Sequence, residues 1–322
     1  MVESMVLGRI ICIAVLVLGS STERLRAQEA PAAAPQSATD DKPLPELHAL
    51  IMDLDKNQKA AEAAAENYTY HLHQVVETLD SKGNVKKTET LDMESLTIDG
   101  VRVDRTVARS GKPLTPEEAK KEDARIDKEV AKAKERRAKA DAKDRATDSR
   151  GDQLITASRF FELGTFSNER REEFNGRSTI LVDYAGDPNA KTKNPGEKAV
   201  RDLVGTVWID EADRTMTRAD GHFLNDFKIG GGLVLDIRKG TRFSMSEQKV
   251  NGEAWLLDRI DADGHLRALL LVGFTGHFHL AATDYRKFHT TSSIVGTNGV
   301  IGADGKPVVE PLPEPQPATP KP

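Results

Sequence analysis

The chain has little cysteine, few aromatic residues and no long apolar run. Its single cysteine, Cys12, lies in Ile10–Leu18, a run shorter than the roughly 20 apolar residues that span a bilayer. One cysteine excludes disulfides within the chain and sites built from several thiolates. Positive charge is not in excess either, since 46 basic and 51 acidic residues give a net charge of −5. We therefore expect no nucleic-acid partner.

Apolar residues are also scarce, at 38% of the chain, with aromatic residues at 5%. Compact domains have about 45 to 50% apolar residues when glycine is counted. We therefore expect one large domain with appendages that lie outside its core. The predicted appendages are 28–45, rich in Ala and Pro, and 291–322, in which proline recurs every few residues. Both compositions are typical of disordered tethers.

The first 27 residues have the layout of a secretory signal peptide. Arg9 precedes the apolar run, and the small residues Gly19–Ser21 and Ala27 follow it. Cleavage after Ala27 removes Cys12, which would leave the mature chain without any thiol. We expect a periplasmic protein whose mature chain does not span the membrane, with 1–27 as the signal peptide.

Apolar periodicity predicts one helix followed by an antiparallel sheet. Apolar residues recur at helical spacing from about Pro45 to Glu66, and the period changes to two at Asn67. About ten extended segments follow, one of them Phe160–Leu163, and turn signals such as Asp99-Gly100 separate them. Few helices long enough for crossovers lie between these segments, so an antiparallel sheet is preferred over a parallel one.

The last predicted strand runs from Leu266 to Leu280, with apolar residues at even positions. At about 3.4 Å per residue, a strand of this length has to bend, most easily at Gly273 and Gly276. The predicted fold class is therefore α+β, with a strongly curved antiparallel sheet, or incomplete barrel, and covering helices. A long charged helix is inserted between strands, and the folded domain is predicted over 46–290.

The charged insertion covers 112–150, where acidic and basic residues alternate with few large apolar ones. The segment Thr115-Pro-Glu-Glu118 forms a capping box with proline at the first helical position, which predicts a helix start. A helix to about Ala146 would carry only a thin apolar stripe, made of Ala119, Ile126, Val130 and Ala133. We expect a solvated helix. The alternative is a lid, or a helix that binds an envelope protein through Pro116 to Asp148.

Two His-x-His pairs, His71/His73 and His277/His279, suggest a metal site. Alternate positions on a strand project imidazoles to one side, so four could converge if the two strands were neighbours. Their parity sets them opposite the apolar residues of their own strands, so we interpret them as solvent-facing and expect no metal and no cofactor. Gly230–Gly232 lacks the residues of a phosphate loop and is interpreted as a turn. No catalytic motif is present, and a His-based metalloenzyme is the least favoured hypothesis.

Several segments resemble the LolA-like outer-membrane lipoprotein-sorting superfamily. They are Asn67–Tyr70, Arg177–Tyr184, Gly205–Asp213 and Met216–Arg218. The resemblance covers about Pro45 to His289 without the charged insertion. It implies an incomplete β-barrel whose concave apolar face is covered by helices. It also implies that the protein transports acyl chains and does not catalyse a reaction. Because the insertion and the proline-rich tail depart from the pattern, a free lipid or a glycolipid fits as well as a lipoprotein.

The first functional hypothesis is a periplasmic, non-enzymatic carrier or binding protein for a hydrophobic ligand, either lipoprotein acyl chains or lipid. A wide one-sided apolar sheet with few covering helices cannot fill its own concavity, so a ligand or a lid must fill it. The predicted wall residues are Tyr68, Tyr70, Leu72, Ile180, Val182, Tyr184, Leu270, Val272, Phe274 and Phe278. The alternative is an envelope structural or interaction protein that acts through the charged helix.

Overall fold

A computed structural model of the chain describes residues 42–142, 147–152, 154–229, 235–268 and 272–287. The predicted signal peptide, the tether before Lys42, the Gly230–Gly232 turn and the proline-rich tail lie outside the described residues. Within the described residues, no helix is both long enough and apolar enough to cross a membrane.

The described residues form helices and a large antiparallel sheet. The helices are α1 (Leu47–Ala65), α2 (Pro116–Asp141), α3 (Ala157–Leu163) and α4 (Pro195–Arg201). The strands are β1 (Tyr68–Leu79), β2 (Val85–Ile98), β3 (Val101–Arg109), β4 (Lys112–Pro113), β5 (Gly164–Phe174), β6 (Arg177–Gly186), β7 (Leu203–Asp210), β8 (Met216–Phe223), β9 (Phe227–Ile229), β10 (Leu235–Ile237), β11 (Arg242–Val250), β12 (Ala254–Ala268) and β13 (Val272–Lys287).

The sheet has the strand order β4-β3-β2-β1-β13-β12-β11-β8-β7-β6-β5, and β10 joins β12 to β9. All of its pairings are antiparallel. Among the described strands, β4 and β5 end the order without pairing with each other, so the sheet is open. The prediction of an α+β fold built on an open antiparallel sheet is confirmed at this level. The strength of its curvature stays a prediction.

The continuous strand predicted from Leu266 to Leu280 is wrong. β12 ends at Ala268, β13 starts at Val272, and the two strands pair with Leu266 opposite Phe274. Residues opposite each other in an antiparallel pair share a face. The alternation at even positions therefore continues from one strand into the next, and periodicity cannot reveal the reversal. The bend predicted at Gly273 and Gly276 is not needed.

The strand predicted over Phe160–Leu163 is also wrong, because these residues belong to α3. A short apolar run fits a buried strand and a buried helix equally well. In the helix, Leu163 is completely buried, and Phe160 packs against the same core.

The largest core cluster joins three helices to the sheet. α1, predicted over Pro45 to Glu66, contributes Leu50 and Ile51, which are 0% and 3% exposed. Leu163 of α3 and Val200 of α4 are part of the same cluster. These helices therefore cover apolar side chains of the sheet, as predicted.

α2 begins with the predicted capping box, since the Thr115 side chain accepts from the Glu118 amide and the Glu118 side chain accepts from the Thr115 amide. It is nevertheless not a solvated arm. Its apolar stripe is buried against Val101 and Val103 of β3 and against Leu96 and Ile98 of β2, with Ile126, Val130 and Ala133 as the buried helix residues. This thin stripe is enough to pack the helix on the sheet because it contacts four apolar strand residues.

α2 packs on the face of the sheet opposite the main core. Met93 of β2 belongs to the main core cluster, whereas Leu96 and Ile98 of the same strand contact α2. Side chains alternate between the two faces along a strand, and these positions differ in parity. A partner of the charged helix would have only its solvent-facing side to bind.

Candidate functional site

The structure buries most of the predicted wall residues. Six of them are at most 3% exposed: Tyr68, Leu72, Ile180, Val182, Tyr184 and Phe278. Tyr70 is half-buried, Leu270 lies outside the described residues, and so do the side chains of Val272 and Phe274.

Five of the six buried wall residues belong to the main core cluster, together with Leu50 and Ile51 of α1. Tyr68 belongs instead to a small cluster with Ala254 and Leu256. Exposed fractions close to zero leave no room for a water molecule beside these side chains. A ligand beside these six side chains would therefore have to displace the residues that cover them.

Tyr184 is a polar group in the apolar part of the core. Its ring lies 5.1 Å from that of Phe166 and 6.1 Å from that of Phe160, measured between centroids. Its hydroxyl has no hydrogen-bond partner within the described part of the chain. Burial, followed by the nearby Asp187 carboxylate, raises the pKa of the phenol above its usual value of 10.0. The hydroxyl is thus a buried donor that the described residues do not satisfy.

Gly164 makes the position of this ring possible. A Cβ atom at Gly164 would lie 2.6 Å from the Tyr184 hydroxyl oxygen, closer than side chains tolerate. The glycine joins α3 to β5, so the short helix and the phenol meet at one point.

α1 rests on α3 through aromatic rings. The rings of His48 and Phe161 stack with centroids 5.1 Å apart, and the Phe161 ring lies 5.0 Å from that of Phe166. The helix that covers the core face is therefore in contact with the surroundings of Tyr184.

Polar contacts hold the segment that leads into α1. Arg171 of β5 donates to the carbonyl oxygens of Lys42 and Pro43 at 2.7 and 3.2 Å. The Lys42 ammonium lies 2.9 Å from Glu211, which also accepts from Arg171. The hydrogen bond from Arg171 lowers the pKa of Glu211 from 4.5 to about 2, against the opposing effect of burial.

Two further contacts hold the middle and the end of α1. Asn57 Nδ2 donates to the Asp213 carbonyl oxygen at 2.9 Å. At the end of the helix, the Arg102 guanidinium donates to the carbonyl oxygens of Ala65 and, at 3.1 Å, of Tyr68. Sequence reasoning missed these residues because each contact joins segments far apart in the chain.

The histidine pairs lie on neighbouring strands, β1 and β13, but each faces an aspartate. His73 Nδ1 is 2.7 Å from Asp92 Oδ1, and His279 Nδ1 is 2.6 Å from Asp261 Oδ1. His277 contacts Asp263 in the same way. These aspartates are cross-strand neighbours that only the register reveals. The described residues contain no group of three or more His, Cys, Asp or Glu side chains that could hold a metal ion.

No protein-family model matches the chain, and no curated protein matches it in sequence. Solved structures with some similarity include a LolA superfamily protein from Nitrosomonas europaea, with 8% identity, 74% of this chain and 94% of that chain covered, and a TM-score of 0.29. The MucA/MucB complex of Pseudomonas aeruginosa gives 9% identity, coverage of 74% and 99%, and a TM-score of 0.20. At such low TM-scores these similarities assign neither a family nor a ligand. The LolA-like resemblance stays a prediction.

Proposed function

We propose that this protein is a non-enzymatic, periplasmic binding or carrier protein for a hydrophobic ligand, such as the acyl chains of a lipid or of a lipoprotein. The ligand enters between α1 and the core face of the sheet, and α1 moves aside to admit it. The observation that carries the proposal is the Tyr184 hydroxyl, which is buried beside Phe160 of α3 among apolar side chains and has no hydrogen-bond partner within the described residues.

A buried donor without a partner costs about 1 to 3 kcal/mol. An acyl ligand suits this position in two ways. Its chain is apolar like the surrounding side chains, and its ester or carboxyl oxygen can accept a hydrogen bond from the phenol. Binding would recover the cost of the unpaired phenol, which an apolar ligand without an acceptor could not do. This reasoning favours an acyl chain over a plain hydrocarbon.

The way α1 is held also supports a movable cover. Its two buried apolar anchors, Leu50 and Ile51, lie in its first turns, whereas its last residues, Ala63-Ala-Ala65, are small. Burying one large aliphatic side chain contributes about 1.5 to 3 kcal/mol. The partly buried Leu47 and Leu54 pack against the same cluster, and His48 stacks on Phe161. The polar contacts are hydrogen bonds from Arg171, Asn57 and Arg102, which water can replace when the helix lifts.

Lipid extraction from the purified protein, followed by mass spectrometry and by displacement of a fluorescent fatty acid, tests the proposal. We expect a bound acyl lipid and saturable displacement. Tyr184→Phe should weaken displacement by acyl lipids, whereas His73→Ala, on the other face of the sheet, should not change it. Absence of binding to both fatty acids and phospholipids would reject the proposal.

A further inference from the structure

The outer edge of β3 is covered by side chains instead of by a strand. β4 pairs only with Ala108 and Arg109, which leaves the edge from Gly100 to Thr106 outside any ladder of the described strands. An edge of this kind presents unpaired backbone groups that can pair with another chain.

Charged side chains of α2 and of the turn after it bind these backbone groups one by one. Glu122 accepts from the Thr106 amide at 2.7 Å, and Arg125 donates to the Asp104 carbonyl at 2.8 Å. Two more arginines bind carbonyl oxygens nearer the start of β3. Arg150 donates to the Arg102 carbonyl oxygen at 3.2 Å, and Arg137 donates to the Gly100 carbonyl oxygen at 3.1 Å. The bound positions 100, 102, 104 and 106 alternate, as they must when their backbone groups point to the same edge.

The binding side chains are themselves held in place. Arg125 forms ion pairs with Glu122 at 2.6 Å and with Glu129 at 2.7 Å, and both carboxylates are buried. The buried stripe around Ile126 fixes the distance between the helix and the strand. The charge pattern of this helix thus serves a defined contact rather than solubility alone.

We propose that α2 and the turn Asp148–Asp152 form an edge cap, which prevents β3 from pairing with β3 of a second copy of this chain. A second copy is the occupant that the sequence of the strand fits. Antiparallel pairing about Val103 sets Arg102 of each copy opposite Asp104 of the other, and opposite charges at facing positions stabilise a sheet. In the single chain the Asp104 carboxylate is bound by Arg150 at 2.8 Å, so the same arginine that caps the strand also occupies this carboxylate. The proposal is independent of any ligand on the core face.

The test is the mass of the full chain across a concentration series, for the parent and for Arg125→Ala/Arg150→Ala. This variant frees the Asp104 and Arg102 carbonyls, which pairing about Val103 requires, and keeps the apolar stripe of α2. We expect a concentration-dependent shift to twice the parent mass. The matched control is Arg105→Ala/Asp123→Ala, which removes an exposed ion pair at 3.3 Å between the same two elements without touching the edge. The control should keep the parent mass.

Adding Asp104→Pro to the edge-freeing variant should restore the parent mass. Proline removes a backbone N–H that faces the edge, and it is tolerated on edge strands. An unchanged mass in the edge-freeing variant, or a dimer that survives Asp104→Pro, would overturn the proposal.

The single variant Glu122→Ala provides a second test if the double variant does not fold. Hydrogen exchange of the Thr106 amide should then become about tenfold faster, as loss of a hydrogen bond to a charged group requires. Unchanged exchange at Thr106 would overturn the role of Glu122 in the cap.

Discussion

Arg102 of β3 donates to the carbonyl oxygen of Tyr68 on β1 at 3.1 Å, although β2 lies between their strands. The same guanidinium donates to the carbonyl oxygen of Ala65, the last residue of α1. It therefore holds both sides of the turn that joins the covering helix to the sheet. Its charge lies 5.2 Å from the centre of the Tyr70 ring, which adds a cation–π contact.

We predict that Arg102→Gln loosens the end of α1. Hydrogen exchange of the amides near Ala65 should become about tenfold faster, because a hydrogen bond to a charged group is worth about 1.5 to 3 kcal/mol. Arg102→Lys should show a similar effect, since an ammonium lacks the planar fork that reaches two carbonyls. The control Arg105→Gln, on the same strand, should leave this exchange unchanged. Equal exchange rates in all three variants would contradict the role of Arg102 in holding the end of α1.

Removal of one hydroxyl group should separate stability from binding at Tyr184. Tyr184→Phe deletes a buried donor without a partner in the described residues, so the free energy of unfolding should rise by about 1 kcal/mol. Urea denaturation of lipid-free protein measures this change. A loss of stability would show that the hydroxyl has a native partner. Weaker acyl binding by the more stable variant would support the proposed contact.

The closed state of the core face can be tested at Val182, which is 0% exposed. A tryptophan at this position overpacks a closed core, so Val182→Trp should cost about 1 to 3 kcal/mol. The control is His73→Trp on the outer face, where the larger side chain meets solvent. Thermal melting of both variants makes the comparison. An unchanged melting temperature for Val182→Trp would contradict the close packing around this side chain.

The contacts of Arg171 and Glu211 with the segment before α1 should weaken in acid, because Glu211 is then protonated. Its folded-state pKa lies near 2, below the value of 4.5 for a free glutamate. A depressed carboxylate pKa contributes stability that is complete above pH 4.5 and is lost as the pH falls toward 2. Glu211→Gln should therefore lower stability at neutral pH and flatten its dependence on pH in this window. The control Glu172→Gln, at a side chain 54% exposed, should keep the pH dependence of the free energy of unfolding. An equal pH dependence for both variants would contradict the stabilising role of Glu211.

Local signals in the sequence predict much of the fold. The start of α2 follows from the capping box at Thr115, because a cap depends only on residues close in the chain. Periodicity predicts the bounds of α1 and of strands such as β2. It fails for the β12–β13 hairpin, where Leu266 and Phe274 share a face across the reversal.

The candidate site was predictable only in part. Alternation placed Ile180 and Val182 on one face of the strand, and both are buried, but it did not predict that Leu181 on the opposite face is buried as well. It could not indicate whether the face is open, because closure depends on how α1 and α3 pack. Nor could it pair His73 with Asp92, because that contact depends on the register between two strands.

The central claim is that a hydrophobic ligand enters under α1, and a reversible cross-link between α1 and α3 tests it most directly. In a Cys12→Ser background, His48→Cys and Phe161→Cys set two thiols where rings now stack at 5.1 Å. A short reducible cross-linker joins them. The control pair, Asp261→Cys and His279→Cys, joins facing positions of β12 and β13 on the outer face.

Uptake of a fluorescent fatty acid is then measured before cross-linking, after it and after reduction. The account predicts that the α1–α3 cross-link abolishes uptake, that reduction restores it, and that the control cross-link has no effect. Equal uptake in the linked and reduced forms of the α1–α3 variant would contradict entry under α1.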